Sequence, residues 1–482
     1  MLPWIQVTLI LCAFGLLREI RPSEPFVSEF LLGEWKNITE EQLNRDVYPI
    51  GTYSYLGLLV VVFLITDFLR FKPVIILSGL SGIAVYAILL WTSSLEWVQA
   101  SQFFYGLYIA TEVAYYTYIY AKVDPSKYPR VSSYTRIAAL SGRFLSGTSA
   151  QLLTHFGLMD YRDLNYITFT AQILATFWAF WLPTVQYGIY FHRKSSVAAN
   201  NIPFKFQHKI RSNVVEATTL ITSHARAAYT RPKVLAWSAL YAVALALFVQ
   251  TQTYIQLLWR QIQDETDYPV SNIVSESFCE IPCRGLFPDT TVLCGLIKQT
   301  LLLRLYITYY NCAQNYLYMS GWPFVSVVAY NGAVEAAQTL LGAGGAFLAS
   351  IFATSGIPAP AAAVQGAAVF VATFVNNVFV SYAGYIVMGM LFHYTITLAS
   401  AKIAGQLSDD SCFGLIFGIN TLVGTGLQSI LTLVLIQALK LPIASQYFAI
   451  SGLYLLLASV WLLGWMINVC RQKRSISVNN QY

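Results

Sequence analysis

Charge is what this sequence has least of. Only 11% of its 482 residues are charged and 56% are hydrophobic, whereas a soluble globular domain carries roughly 25% charged residues. A soluble chain of this length could not hide so much apolar surface. Catalytic signatures are missing too: there are no paired histidines, no HExxH, no phosphate-binding glycine loop and no nucleophile constellation. Neither an enzyme nor a bound cofactor or metal is therefore expected. Four of the seven cysteines (Cys279, Cys283, Cys294, Cys312) fall in one segment, with a spacing that matches no common zinc pattern. The first apolar run, from Leu2, has no basic region ahead of it and no small-residue cleavage site behind it. It reads as an uncleaved helix and not a signal peptide.

What is present is one kind of segment, repeated. A membrane helix needs about 20 mainly apolar residues, and such stretches recur along nearly the whole chain, which leaves a channel, a carrier or a membrane enzyme. The pattern predicts helices over 3–19, 53–69, 73–93, 97–121, 131–157 and 163–187, then 233–259, 329–353, 360–377, 379–405, 411–437 and 443–469. The connection after the first helix holds Glu29, Glu34, Glu40, Glu41 and Asp46. Those after the second, fourth and sixth are basic, with Arg70 and Lys72, then Lys122, Lys127 and Arg130, then a stretch from Arg193 to Lys233. The net charge of +6 is thus a topology signal and not a nucleic-acid surface. Positive-inside bias puts the acidic connection outside. It puts the basic connections, and the tail with Arg471, Lys473 and Arg474, in the cytoplasm with both termini. Asn37-Ile38-Thr39 is a glycosylation sequon on the side assigned outside, which makes Asn37 the candidate acceptor.

Six helices, a long basic connection and six more is the layout of the major facilitator fold, an all-α membrane protein with twelve transmembrane helices in two six-helix halves. Its site lies near the midplane between the halves. The expected organisation is an N-terminal half over 1–188, a basic cytoplasmic loop over 189–232, a C-terminal half over 233–469 and a cytoplasmic tail over 470–482. An atypical insertion at 263–328 interrupts the second half. Its best apolar run, Val292 to Tyr310, contains Lys298 and Arg304, and each charge near a bilayer centre costs about 2.5 to 3.5 kcal/mol. A thirteenth helix there would also turn the basic tail outward. The insertion is expected to be irregular and extracellular, or foreign to the working protein.

Ionisable groups inside apolar helices usually line a cavity. Glu24 lies in Arg21-Pro22-Ser23-Glu24-Pro25-Phe26, where two prolines break a helix and free backbone groups that must find other partners; the alternative is a solvated helix end. Glu112 sits mid-helix and is read as the only acidic group deep within the first half. Residues three and four apart share a helix face, which places Tyr115 and Tyr116 beside it. A carboxylate flanked by rings suits a cationic heterocycle; the alternative is an ion pair with Arg136 or Arg143. Arg143 stands in an otherwise buried helix, either to neutralise Glu112 or to bind an anionic group. Glu335, near the start of the eighth helix, either complements the helix dipole or serves coupling. Gln250, Gln252, Thr253 and Gln256 form a polar stripe on the seventh helix, and His393 with Lys402 marks the tenth. Asp67, Arg70 and Lys72 resemble a degenerate form of the gating motif of major facilitators; the alternative is an ordinary basic loop.

With these residues assembled, the chain resembles the reduced folate and thiamine carriers of solute carrier family 19. The resemblance is carried by Arg21 to Phe26, Thr52 to Leu56, Thr66 to Leu77, Phe103 to Tyr120, Arg130 to Arg136, Tyr330 to Ala336 and Phe417 to Thr421, in the same order. The thiamine branch has glutamate at the place of Glu112, where the folate carrier has arginine, and glutamine at that of Gln428, where the folate carrier has lysine. Both swaps follow substrate charge, thiamine being a cation and folate a dianion. The resemblance implies that Glu24, Glu112, Tyr115 and Tyr116 contact thiamine, that Tyr48 stacks on it, and that Gln252, Thr253 and Gln256 complete the pocket. It implies a secondary-active vitamin carrier of the plasma membrane that works in the lipid bilayer, with a proton or an organic anion as counter-substrate. The chain departs from the pattern at Gly51 (tryptophan in thiamine carriers), Arg143 (tyrosine) and Gly389 (a basic residue), and the family joins Trp259 to Tyr330 by a much shorter connection. These departures keep open a carrier of reduced folate or of another organic anion such as thiamine phosphate, and a non-transporting relative.

Overall fold

The computed structural model describes residues 3–123, 127–185, 206–273, 329–351, 358–407 and 413–479, and among these no residue is in a strand. The helices are α1 (Pro3–Glu19), α2 (Val27–Leu32), α3 (Tyr48–Phe68), α4 (Lys72–Trp91), α5 (Leu95–Ala110), α6 (Glu112–Lys122), α7 (Tyr128–His155) and α8 (Tyr161–Ala179). They continue as α9 (Phe206–Tyr229), α10 (Pro232–Ile273), α11 (Asn331–Ile351), α12 (Pro358–Phe374), α13 (Val378–Ala404), α14 (Phe413–Leu431) and α15 (Ile443–Asn479). Contacts divide the chain into two compact units, Met1–Glu265 with Asn331–Tyr482, and Thr266–Tyr330; the helical bundle is the first of them. The segment 274–328, with the four clustered cysteines, Lys298 and Arg304, lies outside the described residues, as do 186–205 of the basic connection and 480–482 of the tail.

Among the described residues, seven helices are long and apolar enough by length and composition to cross a membrane. Their outward faces carry large apolar side chains such as Leu64, Phe347, Leu456 and Leu463. Apolar surface on that scale suits hydrocarbon as the solvent. Local chemistry sets the helix ends. Proline occupies the first turn of α3, α4 and α7, where its missing N–H costs nothing. Asp160 and Asp163 form a capping box at the start of α8, and the Asn377 side chain accepts from Phe379 N at 2.9 Å to cap α13.

Three differences from the sequence-based boundaries have identifiable causes. The helix expected over 97–121 is broken at Thr111 into α5 and α6: the Thr111 hydroxyl donates to the carbonyls of Leu107 and Tyr108, both at 2.9 Å. Arg18 takes the Tyr108 carbonyl as well, at 3.0 Å. The basic connection contains a helix, α9, which packs on α14. And α10 and α15 run past their expected ends to Ile273 and Asn479, since hydropathy marks where apolar sequence stops and not where a helix stops.

Helices from the two ends of the chain meet along α7 with α11 and α3 with α14. At the first crossing a Cβ on Gly332 would lie 2.7 Å from the Gly147 carbonyl oxygen, and the reverse holds for Gly147; only glycine permits that approach. Gln151 Oε1 accepts from Ala333 N at 3.2 Å beside it. The bundle end that carries Asn37 is tied by charge as well. Arg260 on α10 reaches Glu29 at 3.0 Å, Glu40 at 3.3 Å and Asp264 at 3.9 Å. Nearby, Tyr53 OH donates to Gln437 Oε1 at 2.9 Å and Arg45 to the Lys440 carbonyl at 3.3 Å.

Candidate functional site

The site begins where α1 stops. Pro22 and Pro25 prevent the helix from continuing, and the backbone groups left without helical partners are taken by side chains from four other helices. The Arg18 carbonyl accepts from Tyr108 OH at 2.9 Å and Gln172 Nε2 at 3.1 Å. Arg21 N donates to Ser146 Oγ at 2.9 Å, Ser23 N to Thr168 Oγ1 at 3.3 Å, and the Glu24 carbonyl accepts from Gln256 Nε2 at 2.9 Å. The same Gln256 side chain accepts from Ser28 N at 3.0 Å, so α10 clasps the break in α1 from more than two hundred residues away in the chain.

Within this break lies a cluster of six charges. Glu19, 2% exposed, holds three guanidiniums: Arg18 Nη1 at 3.0 Å, Arg21 Nη2 at 2.8 Å and Arg143 Nε at 2.6 Å. Arg18 also faces Glu112 Oε2 at 3.6 Å, and Arg21 is bonded to Glu24. Three arginines against Glu19, Glu24 and Glu112 leave no net charge, and such balance is what permits buried charge at all. Exposure then separates the members: Glu24 is 31%, Glu112 22% and Arg143 43% open, while Arg18 and Arg21 are buried with Glu19. Aromatic rings line the cluster. Arg18 lies 4.3 Å above the Tyr108 ring centroid, and Tyr86 OH and Tyr105 OH donate to Glu24 Oε1 at 3.5 and 3.4 Å.

The expected site residues are partly gathered here. Glu24, Glu112, Arg143 and Gln256 share the cluster. Tyr116 lies beside Glu112 electrostatically, but Tyr115 is turned to α1, its OH donating to the Leu11 carbonyl at 3.1 Å and its ring packed on Phe14. The expectation that Glu112 is the only deep acid is corrected: Glu19 is deeper. The alternative reading of Glu112, an ion pair with Arg136 or Arg143, is not what forms: among the described residues its ion-pair partner is Arg18, and Arg143 is taken by Glu19. From the second half, Glu335 accepts from Tyr385 OH at 2.8 Å and feels the charges of Arg143, Glu24 and Arg21; Gln252 hydrogen-bonds the same tyrosine.

Other expected residues stand further off or are engaged elsewhere. Tyr48 OH meets Ser28 Oγ at 2.7 Å and its ring is edge-on to Tyr254. The Thr253 hydroxyl returns to its own helix at the Val249 carbonyl, 2.7 Å away, and Gln428 is buried on α14. Asp67 is buried at the α3–α4 turn, where Arg70 and Phe71 adopt φ of 62° and 66°; Asn37 is exposed with φ of 52°. At the two glycine departures, glutamines fill the space. A Cβ on Gly51 would lie 2.8 Å from Gln102 Oε1, and one on Gly389 would collide with Gln338.

Sequence reading missed Arg18, Glu19 and Arg21 as site members, along with Tyr86 and Tyr105. The available signal was three charges in the four residues before Pro22, more than a helix end needs.

Comparison with known proteins bears on this arrangement. The family model described as "Reduced folate carrier" matches residues 3–286 and 296–449. Thiamine transporter 1 of Homo sapiens is 32% identical over 487 residues, covering 98% of this chain and 92% of that protein. Folate transporter 1 of Caenorhabditis elegans is 30% identical, covering 97% and 93%. The solved structure of the nucleoside transporter NupG superimposes with a TM-score of 0.53 over 96% of this chain and 99% of that one, at 10% identity, a likeness of fold alone. That fold is the all-helical one of major facilitator transporters; relatives and structural neighbours alike are transporters and not enzymes.

Proposed function

The chain belongs to the reduced folate carrier family, and from that premise we propose that it is a secondary-active carrier of the plasma membrane that takes up thiamine. The observation that carries the choice of substrate is the accessibility within the charge cluster. Of six charges, those with open faces are Glu24, Glu112 and Arg143, which sum to −1. A cationic heterocycle meets two carboxylates there, with Tyr86, Tyr105 and Tyr116 supplying π-faces near them.

Transport follows from two halves that alternate access to this region. In our reading twelve spans cross the bilayer. Asn37 is outside and glycosylated, and the 189–232 connection and both termini are cytoplasmic. The 263–328 insertion is extracellular and dispensable. The exposure of Asn37 supports its availability to modification. Glu335 serves coupling, with a proton or an organic anion as counter-substrate. Its reach to Arg143 and Glu24 across the halves supports that role. Asp67 and Arg70 gate the α3–α4 turn.

A second reading, uptake of a reduced folate, is favoured by the exposed guanidinium of Arg143. Uptake of labelled thiamine and labelled reduced folate, measured side by side in cells expressing the chain, decides between them. Saturable thiamine uptake above control cells is the expected result. Folate uptake with thiamine ignored would overturn the proposal and make Arg143 the leading ligand residue.

A further inference from the structure

We propose that Glu19 is the positioning residue that sets the charge preference of the site, by holding Arg143 away from Glu112 and Glu24. The inference rests on the reading of this cluster as the substrate site. At 2% exposure Glu19 is closed to substrate, yet it is bonded to every arginine of the cluster. Its Oε2 alone receives both Arg21 and Arg143.

The three arginines differ in what would hold them without Glu19. Arg18 keeps the Tyr108 carbonyl at 3.0 Å, the Tyr108 ring and Glu112. Arg21 keeps Glu24. Arg143 has Glu19 as its one ion-pair partner among the described residues, and is also the arginine with an open face. It already feels the charge of Glu112, and Glu335 feels its own. Neutralising Glu19 therefore does two things. The cluster changes from zero to +1, and the one untethered guanidinium becomes free to turn toward Glu112, Glu24 or Glu335. The carboxylates that meet a cation would then be occupied from within, and the exposed positive charge would receive a carboxylate or phosphate instead. Removing Arg143 alone should act in the opposite sense, taking the cluster to −1.

The test compares the unaltered chain with Glu19→Gln, Arg143→Gln and the double variant, at matched surface levels. For Glu19→Gln the thiamine KM should rise at least tenfold with Vmax little changed, while a reduced folate gains as a competitor. The double variant should return KM to within about threefold of the unaltered chain. A double variant as impaired as Glu19→Gln, or a fall in Vmax with KM unchanged, would show a merely structural role and overturn the proposal. If Glu19→Gln does not reach the surface, Arg143→Gln carries the test, because it must shift preference toward the cation; an unchanged preference refutes the idea. The substrate reading can fail separately. Should the unaltered chain carry no thiamine, thermal-shift titration of the purified variants with thiamine and with a reduced folate still reports the preference. There Glu19→Gln must move the cation-to-anion binding ratio at least tenfold toward the anion, and an unmoved ratio sinks the assignment of Glu19.

Discussion

Replacing Glu112 by glutamine keeps the size of the side chain and removes its charge, and the surroundings make the outcome interpretable. Among the described residues Glu112 makes one ion pair, the 3.6 Å approach of Arg18, which is long for a hydrogen bond. Arg18 does not depend on it, since Glu19 at 3.0 Å and the Tyr108 carbonyl at 3.0 Å remain. The fold should therefore tolerate the change, and the loss should fall on the bound cation. A hydrogen bond to a charged group contributes about 1.5 to 3 kcal/mol, which is roughly ten- to a hundredfold in affinity. Glu112 is partly open to solvent, so the lower half of that range is expected. The assay is concentration-dependent uptake of labelled thiamine at matched surface expression, with a melting temperature of the purified protein as a control. A KM within twofold of the unaltered chain would refute the reasoning. So would a fall in melting temperature with KM unchanged, because Glu112 would then serve only to balance Arg18.

Two further outcomes follow from the bundle end that carries Asn37. Arg260→Ala removes the pairs that tie α10 to Glu29 and Glu40; partly exposed pairs contribute under about 1 kcal/mol each, so the population open at this end should rise by up to about thirtyfold. Spin labels at Glu34 and Lys440 in a cysteine-stripped background should report a wider separation, and an unchanged distance distribution would remove the clasp from consideration. Lys36, 7% exposed, donates to the Thr92 carbonyl and lies over the Phe30 ring. Burial first, and the charge of Arg162 second, pull its pKa from 10.5 to about 8. Between those values the unfolded chain binds more protons than the folded one, so stability should rise with pH through that window. Melting temperatures in detergent should show the rise in the unaltered chain and lose it in Lys36→Met; a fall with pH would contradict the assigned shift.

The sequence by itself determined the kind of protein this is. Apolar stretches of spanning length, few charges and the prolines at 22 and 25 dictate an all-helical membrane bundle with a broken first helix. Glu24, Glu112 and Arg143 stood out because a charge within an apolar run is costly wherever it packs, and that cost can be read one residue at a time. Tertiary structure alone decided the pairing. Glu19 is the last residue of α1 and nothing local marks Arg143 as its partner; α7, more than a hundred residues on, brings Arg143 to it. Tyr115 and Tyr116 are neighbours in sequence, but the close packing of α1 commits one of them to the Leu11 carbonyl and leaves the other beside Glu112. The room at Gly51 and Gly389 is filled by glutamines from other helices. Hydropathy is a property of single residues, whereas charge balance and ring placement depend on the rotation and crossing of helices far apart in the chain, and no local pattern encodes those.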